Sequence, residues 1–442
     1  MDPVRLRGMT QRRAGRAGGH ASDGASGGAD GVARGTEGGG LSRRGLLKLG
    51  GAAAFGLALS GCAIPGLAKI ITPAEAEAEA NSYWPKQKPT GNLNFANWAS
   101  YIDPNHESLK LFTQATGIAV NYSEVIEDDN SFFAKIDPII RSGQYTGYDL
   151  MVITDGFEFN DLVELQEVIP LDHSYLTNFE KYAISTFKHS TFDPGNLYSV
   201  PWASGITGIA WNTKYVTEPI TSIEALWDPK YKGKIGMMQD PQELANFGLF
   251  KLGIDPDTST LADWNKAANV LNQQRNAGLV RAYYDQSYLN AISQGDTWIS
   301  MAWSGDIFQQ NESAGNNDLQ FAVPVEGGNI WTDNMMIPKL AQNPVSAMKM
   351  IDWFYHPPIA TMLTENIQYI SACAPVKSLI EQDAKLKHGA NGQNQATLQA
   401  LVNSPLVFPP DSELARTRNY ITPADPQTAQ DFANLFNAIT EA

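Results

Sequence analysis

From residue 93 onward, short apolar runs alternate with amphipathic stretches along the chain. Residues 93–98, 118–125 and 148–154 read as strands, and the apolar positions of 107–115 and 130–142 recur at helical spacing between them. Strands interleaved with helices predict an α/β sheet with crossover connections, and in such sheets ligands lie off the carboxyl ends of strands. Trp98 and Thr154 fall at such ends. The apolar run 198–202 leads into Ala203-Ser204-Gly205, small residues suited to absorbing backbone rotation, which predicts a hinge. A second alternation then begins, with strands over 234–238 and 297–303 and helices over 242–252 and 261–274. A return crossing is expected near 321–324, ahead of a strand over 331–337. This pattern divides the folded part into one lobe of residues 92–202 plus 323–375 and another of 203–322 plus 376–442.

The first ninety residues follow other rules. Residues 1–40 are rich in Gly, Ala and Arg without apolar periodicity and read as a disordered leader. Ser42-Arg43-Arg44-Gly45-Leu46-Leu47-Lys48 is a twin-arginine signature, and the apolar stretch 46–59 after it is too short for a permanent membrane helix. The stretch ends in Leu59-Ser60-Gly61-Cys62, which resembles the lipobox of bacterial lipoproteins. Residues 1–61 are therefore expected to be a twin-arginine signal peptide, and Cys62 to carry lipid on the outer face of the cytoplasmic membrane. Residues 62–91, with an Ala/Glu run and a Pro-rich stretch, read as a flexible tether.

Composition narrows the function. The 442 residues are 43% hydrophobic and 10% aromatic, enough for a substantial core. The formal charge is −15, and residues 1–61 contribute nine basic side chains against four acidic ones, so the remainder is more acidic still. Nucleic acid is a poor partner for such a surface, whereas cations would be concentrated near it. The two cysteines, Cys62 and Cys373, and the six histidines match no metal motif, and no G-x-S-x-G elbow occurs.

Several segments resemble the periplasmic spermidine/putrescine-binding proteins of ABC importers. They are NFANWASYIDP at 94–104, YDLMVIT at 148–154, YSVPWASGITGIAWN at 198–212, LWDPKYKGKIGMMQDPQELA at 226–245, WISMAWSGDIF at 298–308 and GGNIWTDNMMIP at 327–338. They follow family order and spacing across nearly all of the chain after residue 91. The resemblance implies a class II periplasmic-binding-protein fold, two α/β lobes joined by a hinge with the ligand in the cleft between them. It places an aromatic box on Trp98, Tyr101, Trp303, Trp331 and Tyr369, and carboxylates on Asp240, Glu243 and Asp333. Thr154 and Asp285 occupy two positions where the family has Ser. Ala99, Ser100, Gly156 and Phe157 depart from the family pattern, and no position stands out for the family's C-terminal amide ligand. The implied partners are a polyamine and the importer's permease subunits; a monomer without cofactor or catalytic activity is expected.

These residue types suit such a guest. A polyamine is an apolar chain punctuated by ammonium groups, so it needs carboxylates for the charges and flat rings for the methylenes. Asp240 and Glu243, three apart at a helix start, can share one ammonium group, but the spacing equally fits an N-cap with its capping-box partner. Trp331 and Asp333 fall on one side of a strand. Neither ordinary carboxylates nor amines titrate between about pH 6 and 9, so little pH dependence is expected unless a group is strongly shifted. Two other readings compete. Tyr283-Tyr284 resembles the adjacent tyrosines of ferric-ion-binding proteins, and rings beside paired acids also suit a secreted glycoside hydrolase.

Overall fold

The computed structural model describes residues 72–423 and 426–440. Its sheet contains ten strands: β1 (Asn92–Trp98), β2 (Ala119–Ile126), β3 (Leu150–Thr154), β4 (Ser199–Asn212), β5 (Ile235–Met238), β6 (Val280–Tyr284), β7 (Ile299–Trp303), β8 (Leu319–Ala322), β9 (Gly328–Met336) and β10 (Thr417–Arg418). The order is β2-β1-β3-β9-β4-β7-β5-β6, with β10 on β9 and β8 on β4. β1 is parallel to β2 and β3, and β5 is parallel to β6 and β7, as helical crossovers require. β4 and β9 run antiparallel to each other, β9 also to β3 and β4 also to β7, and together they join the two parallel groups.

Burial explains why the strands read as apolar runs. Leu93, Phe95, Leu150 and Val152 enter one core, while Ala96, Met151 and Ile153 enter another on the opposite face. A parallel sheet covered on both faces needs apolar residues at both alternating positions. A third core gathers residues 209–307 around β5 and β7. β4 is buried along all fourteen of its residues because it passes from one group of strands to the other. It pairs with β9 from Ser199 to Thr207 and with β7 from Thr207 to Trp211. Pro201, which cannot donate to the ladder, sits at a register shift in this pairing.

Two sequence expectations are corrected. Within the segment read as a flexible tether, residues 73–83 form the helix Pro73–Tyr83, started by a Thr72/Glu75 capping box with Pro73 at its first position. Ala76 is buried in the core, and the buried Trp84 donates from Nε1 to the Pro170 carbonyl oxygen at 2.8 Å. The Ala/Glu run is strongly helix-forming, and one buried indole anchors it. The second correction concerns the tail assigned to the second lobe. Val376, Ile380, Leu398, Leu401 and Val407 are buried in the core of β1, β3 and β9, whereas Ile421, Phe432, Phe436 and Ile439 are buried in the core of β5 and β7. Apolar positions on short helices show that they are buried, but not against which sheet half. Cys62 and the leader lie outside the described residues.

Candidate binding site

Asp333 sits on β9 opposite Thr154 at the end of β3. Its Oδ1 accepts from Thr154 Oγ1 at 2.7 Å and its Oδ2 from Tyr101 Oη at 2.6 Å. Burial pushes the Asp333 carboxyl up to about 6, against the lowering effect of these two donors. The Tyr101 phenol is raised well above its ordinary value, first by burial and then by Asp333, so it remains a neutral donor.

From this pair a train of rings leads away. The Tyr101 and Tyr369 centroids are 5.6 Å apart at 89°, Tyr369 and Trp331 are 5.5 Å apart, and Trp331 and Trp303 are 6.2 Å apart at 74°. Edge-to-face contacts of this kind hold the rings at defined angles. Two glycines leave room for them. A Cβ on Gly205 would overlap the Trp331 indole, and one on Gly305 would lie 2.6 Å from Tyr369 Cζ. Trp303 ends β7, and its Nε1 donates to Glu243 Oε1 at 3.1 Å.

Glu243 closes the far end of the train. Asp240 is the N-cap of the helix Pro241–Lys251, its Oδ1 accepting from the Gln242 and Glu243 amides at 2.8 and 3.0 Å. The capping-box reading is thus half realised: Asp240 caps, whereas the Glu243 carboxylate turns inward. It accepts from Thr207 Oγ1 at 2.6 Å, from Tyr420 Oη at 3.0 Å and from Asn329 Nδ2. Burial lifts its carboxyl to about 7 despite these donors. Trp331 Nε1 donates to the same Thr207 hydroxyl at 3.1 Å, tying ring to carboxylate.

Two further buried acids face this space. Asp155 follows β3, and its Oδ1 accepts from the Thr332 amide at 2.5 Å; burial raises it to about 8, with Asp333 and Glu243 adding to the rise. Asp306 follows β7 and accepts from Tyr369 Oη at 2.7 Å and Tyr288 Oη at 3.1 Å; burial raises it to about 6. Among the described residues no Lys or Arg pairs with Asp155, Glu243, Asp306 or Asp333. Four buried carboxylates without a cationic side chain make a strong demand for positive charge.

A model of bacterial extracellular solute-binding proteins matches residues 107–390. The chain belongs to that family. It is a family of transport proteins that bind substrates outside the cytoplasm, not a family of enzymes. The solute-binding protein is 30% identical to the spermidine/putrescine-binding periplasmic protein of Escherichia coli over 292 residues, 66% of this chain and 80% of that one. It is 27% identical over 308 residues to the putrescine-binding periplasmic protein SpuD of Pseudomonas aeruginosa, which covers 66% of this chain and 80% of the relative. Among solved structures, the spermidine/putrescine ABC transporter substrate-binding protein PotD of Streptococcus pneumoniae superposes with a TM-score of 0.65 at 26% identity, over 80% of this chain and 99% of that one. The α/β two-lobed architecture expected from the sequence is that of these neighbours.

Of the residues singled out from sequence, Tyr101, Thr154, Glu243, Trp303, Trp331, Asp333 and Tyr369 are linked by the contacts above. Trp98 lies alongside: half-buried at the end of β1, it donates from Nε1 to the Val152 carbonyl oxygen at 3.1 Å, and its ring stacks on none of the other four among the described residues. Asp240 spends one oxygen on its helix. Asp285 is not brought in; it is exposed, its Oδ1 accepts from the Ser287 amide at 2.8 Å, and the Ser287 hydroxyl together with that amide lowers its pKa. Tyr283 and Tyr284 are successive residues of β6, so their side chains leave opposite faces and do not converge on one ion.

Sequence reasoning missed Asp155, Asp306, Thr207, Asn329, Tyr288 and Tyr420. Asp155 stands directly after β3 and Asp306 in the first turn of the helix that follows β7, both strands that were recognised, a usable signal. Thr207 and Asn329 lie inside buried strands, and nothing local distinguishes them from structural polar residues.

Proposed function

We propose that this protein captures a polyamine such as spermidine or putrescine between its two lobes and presents it to the permease subunits of an ABC importer. The observation that carries the reading is the set of buried carboxylates Asp155, Glu243, Asp306 and Asp333, strung along the rings of Tyr101, Tyr369, Trp331 and Trp303 with no cationic side chain among them. The ammonium groups of the guest supply the missing charge, and its methylenes lie against the rings. Each well-desolvated ammonium–ring contact contributes about 2 kcal/mol. The relatives named for spermidine and putrescine support the same class of guest. A ligand that bridges both lobes favours the closed form, which the permease distinguishes from the open one.

The remaining features of the reading come from the leader. The protein is exported by the twin-arginine route, cleaved before Cys62 and held by lipid on that residue at the outer face of the cytoplasmic membrane. It acts as a monomer and catalyses no reaction. Calorimetric titration with spermidine, putrescine, spermine, ferric citrate and maltose tests the guest. A response to the polyamines alone supports the proposal; a response to ferric citrate or maltose with none to polyamines refutes it. Radiolabelled palmitate incorporation that disappears in Cys62→Ser tests the anchor.

A further inference from the structure

We propose that Asp155 is a specificity-determining residue of the cleft, one that meets an ammonium group of the guest as a carboxylate and yields a proton to solvent when the guest enters. This inference rests on the polyamine reading and deepens it.

The position of Asp155 carries the argument. It is 3% exposed and stands immediately after Thr154, whose hydroxyl holds Asp333. Its Oδ1 is fixed by the Thr332 amide, and its own amide donates to the Thr332 carbonyl oxygen at 2.8 Å, so β9 grips it between Trp331 and Asp333. The next residues meet the other lobe: the Phe157 amide donates to Gln242 Oε1 at 3.1 Å, and a Cβ on Gly156 would lie 2.7 Å from the Gln242 amide. Asp155 therefore lies where the two sheet halves face each other. The titratable groups facing it are Asp333 on β9, Glu243 on the helix Pro241–Lys251 and the Tyr420 phenol, none of which is cationic.

Buried beside two other acids, Asp155 is held about 8 and so is protonated at neutral pH. An arriving ammonium group reverses that preference. The exchange is balanced: the Asp155 O–H bond breaks, its proton passes to solvent, and the carboxylate pairs with the N–H of the guest. Asp155 adds a buried carboxylate beside Asp333 and Glu243, so a guest with a third ammonium group gains more from it than a diamine does.

The test is calorimetry on the wild-type protein and Asp155→Asn, which keeps the oxygen that accepts from Thr332. Each is titrated with spermidine and with putrescine at pH 7 in phosphate and in Tris, whose different ionisation enthalpies count the protons released. The wild type is expected to release close to one proton more per spermidine than the variant. The variant is also expected to lose about tenfold in spermidine affinity and less for putrescine. Equal proton counts in the two proteins, or an unchanged spermidine-to-putrescine ratio, overturn the role of Asp155 while leaving the polyamine reading standing. Absence of heat with both polyamines in the wild type overturns both.

Discussion

Tyr101 and Asp333 are 232 residues apart, and the phenol of one holds the carboxylate of the other at 2.6 Å. The bond links the loop after β1 to the strand that joins the two sheet halves, and it aims a charge that burial alone would neutralise. A hydrogen bond to a charged group contributes about 1.5–3 kcal/mol. Tyr101→Phe is therefore expected to weaken polyamine binding by at least about tenfold by calorimetry. Asp333→Ala, which removes the charge itself, should cost more. Wild-type affinity in both would show that the guest binds elsewhere.

Gly205 lies under the Trp331 indole with no room for a methyl group. Gly205→Ala forces the ring to move or the strand to shift, an overpacking cost of about 1–3 kcal/mol. We expect a lower urea midpoint and a weaker calorimetric response to spermidine than in the wild type. A variant matching the wild type in both measurements would show that the ring relocates freely.

Stability should depend on pH in the direction opposite to that of a salt-bridged protein. Asp155, Glu243, Asp306 and Asp333 have folded-state values of about 8, 7, 6 and 6, all above those of an unfolded chain. Folding thus binds protons, so their contribution is fully present below about pH 4 and is lost as the pH rises through 6 to 8. Without guest, the calorimetric Tm is expected to fall from pH 5 to pH 8. Saturating spermidine should flatten that slope, and its affinity should strengthen over the same range. This replaces the pH-indifferent binding expected from unshifted groups. A Tm that rises from pH 5 to pH 8 would mean that a cation compensates the acids.

The helix Pro73–Tyr83 and Trp84 belong to the folded body. Trp84→Ala should destabilise the protein by about 3–5 kcal/mol in urea denaturation, as loss of a buried large aromatic does. Removing residues 1–90 should cost at least as much. A truncated protein as stable as the whole would return this segment to the role of a tether.

Trp303 links a wall ring to a charge by donating its indole N–H to Glu243. Trp303→Phe keeps an aromatic face but strips one donor from a buried carboxylate. We expect spermidine affinity to drop and its pH dependence to shift upward, because Glu243 then ionises less readily. An unchanged pH profile would separate the two residues functionally.

The chain's own pattern determined the α/β alternation, the crossing through Ala203-Ser204-Gly205, the strand-end placement of Thr154 and Trp303 and the shared strand of Trp331 and Asp333, because periodicity and small residues are local properties that survive without neighbours. The segment resemblance supplied Tyr101, Tyr369 and Glu243, whose surroundings in the sequence say little. Tertiary structure alone decided that Glu243 turns inward while Asp240 caps, that Asp285 faces solvent, and that Asp155 is buried near Asp333 and Glu243. It also decided that an Ala/Glu run packs as a helix and that the tail divides between two cores. Those outcomes depend on which surfaces are buried against each other across hundreds of residues, and burial fixes both where a side chain goes and whether its charge is tolerated.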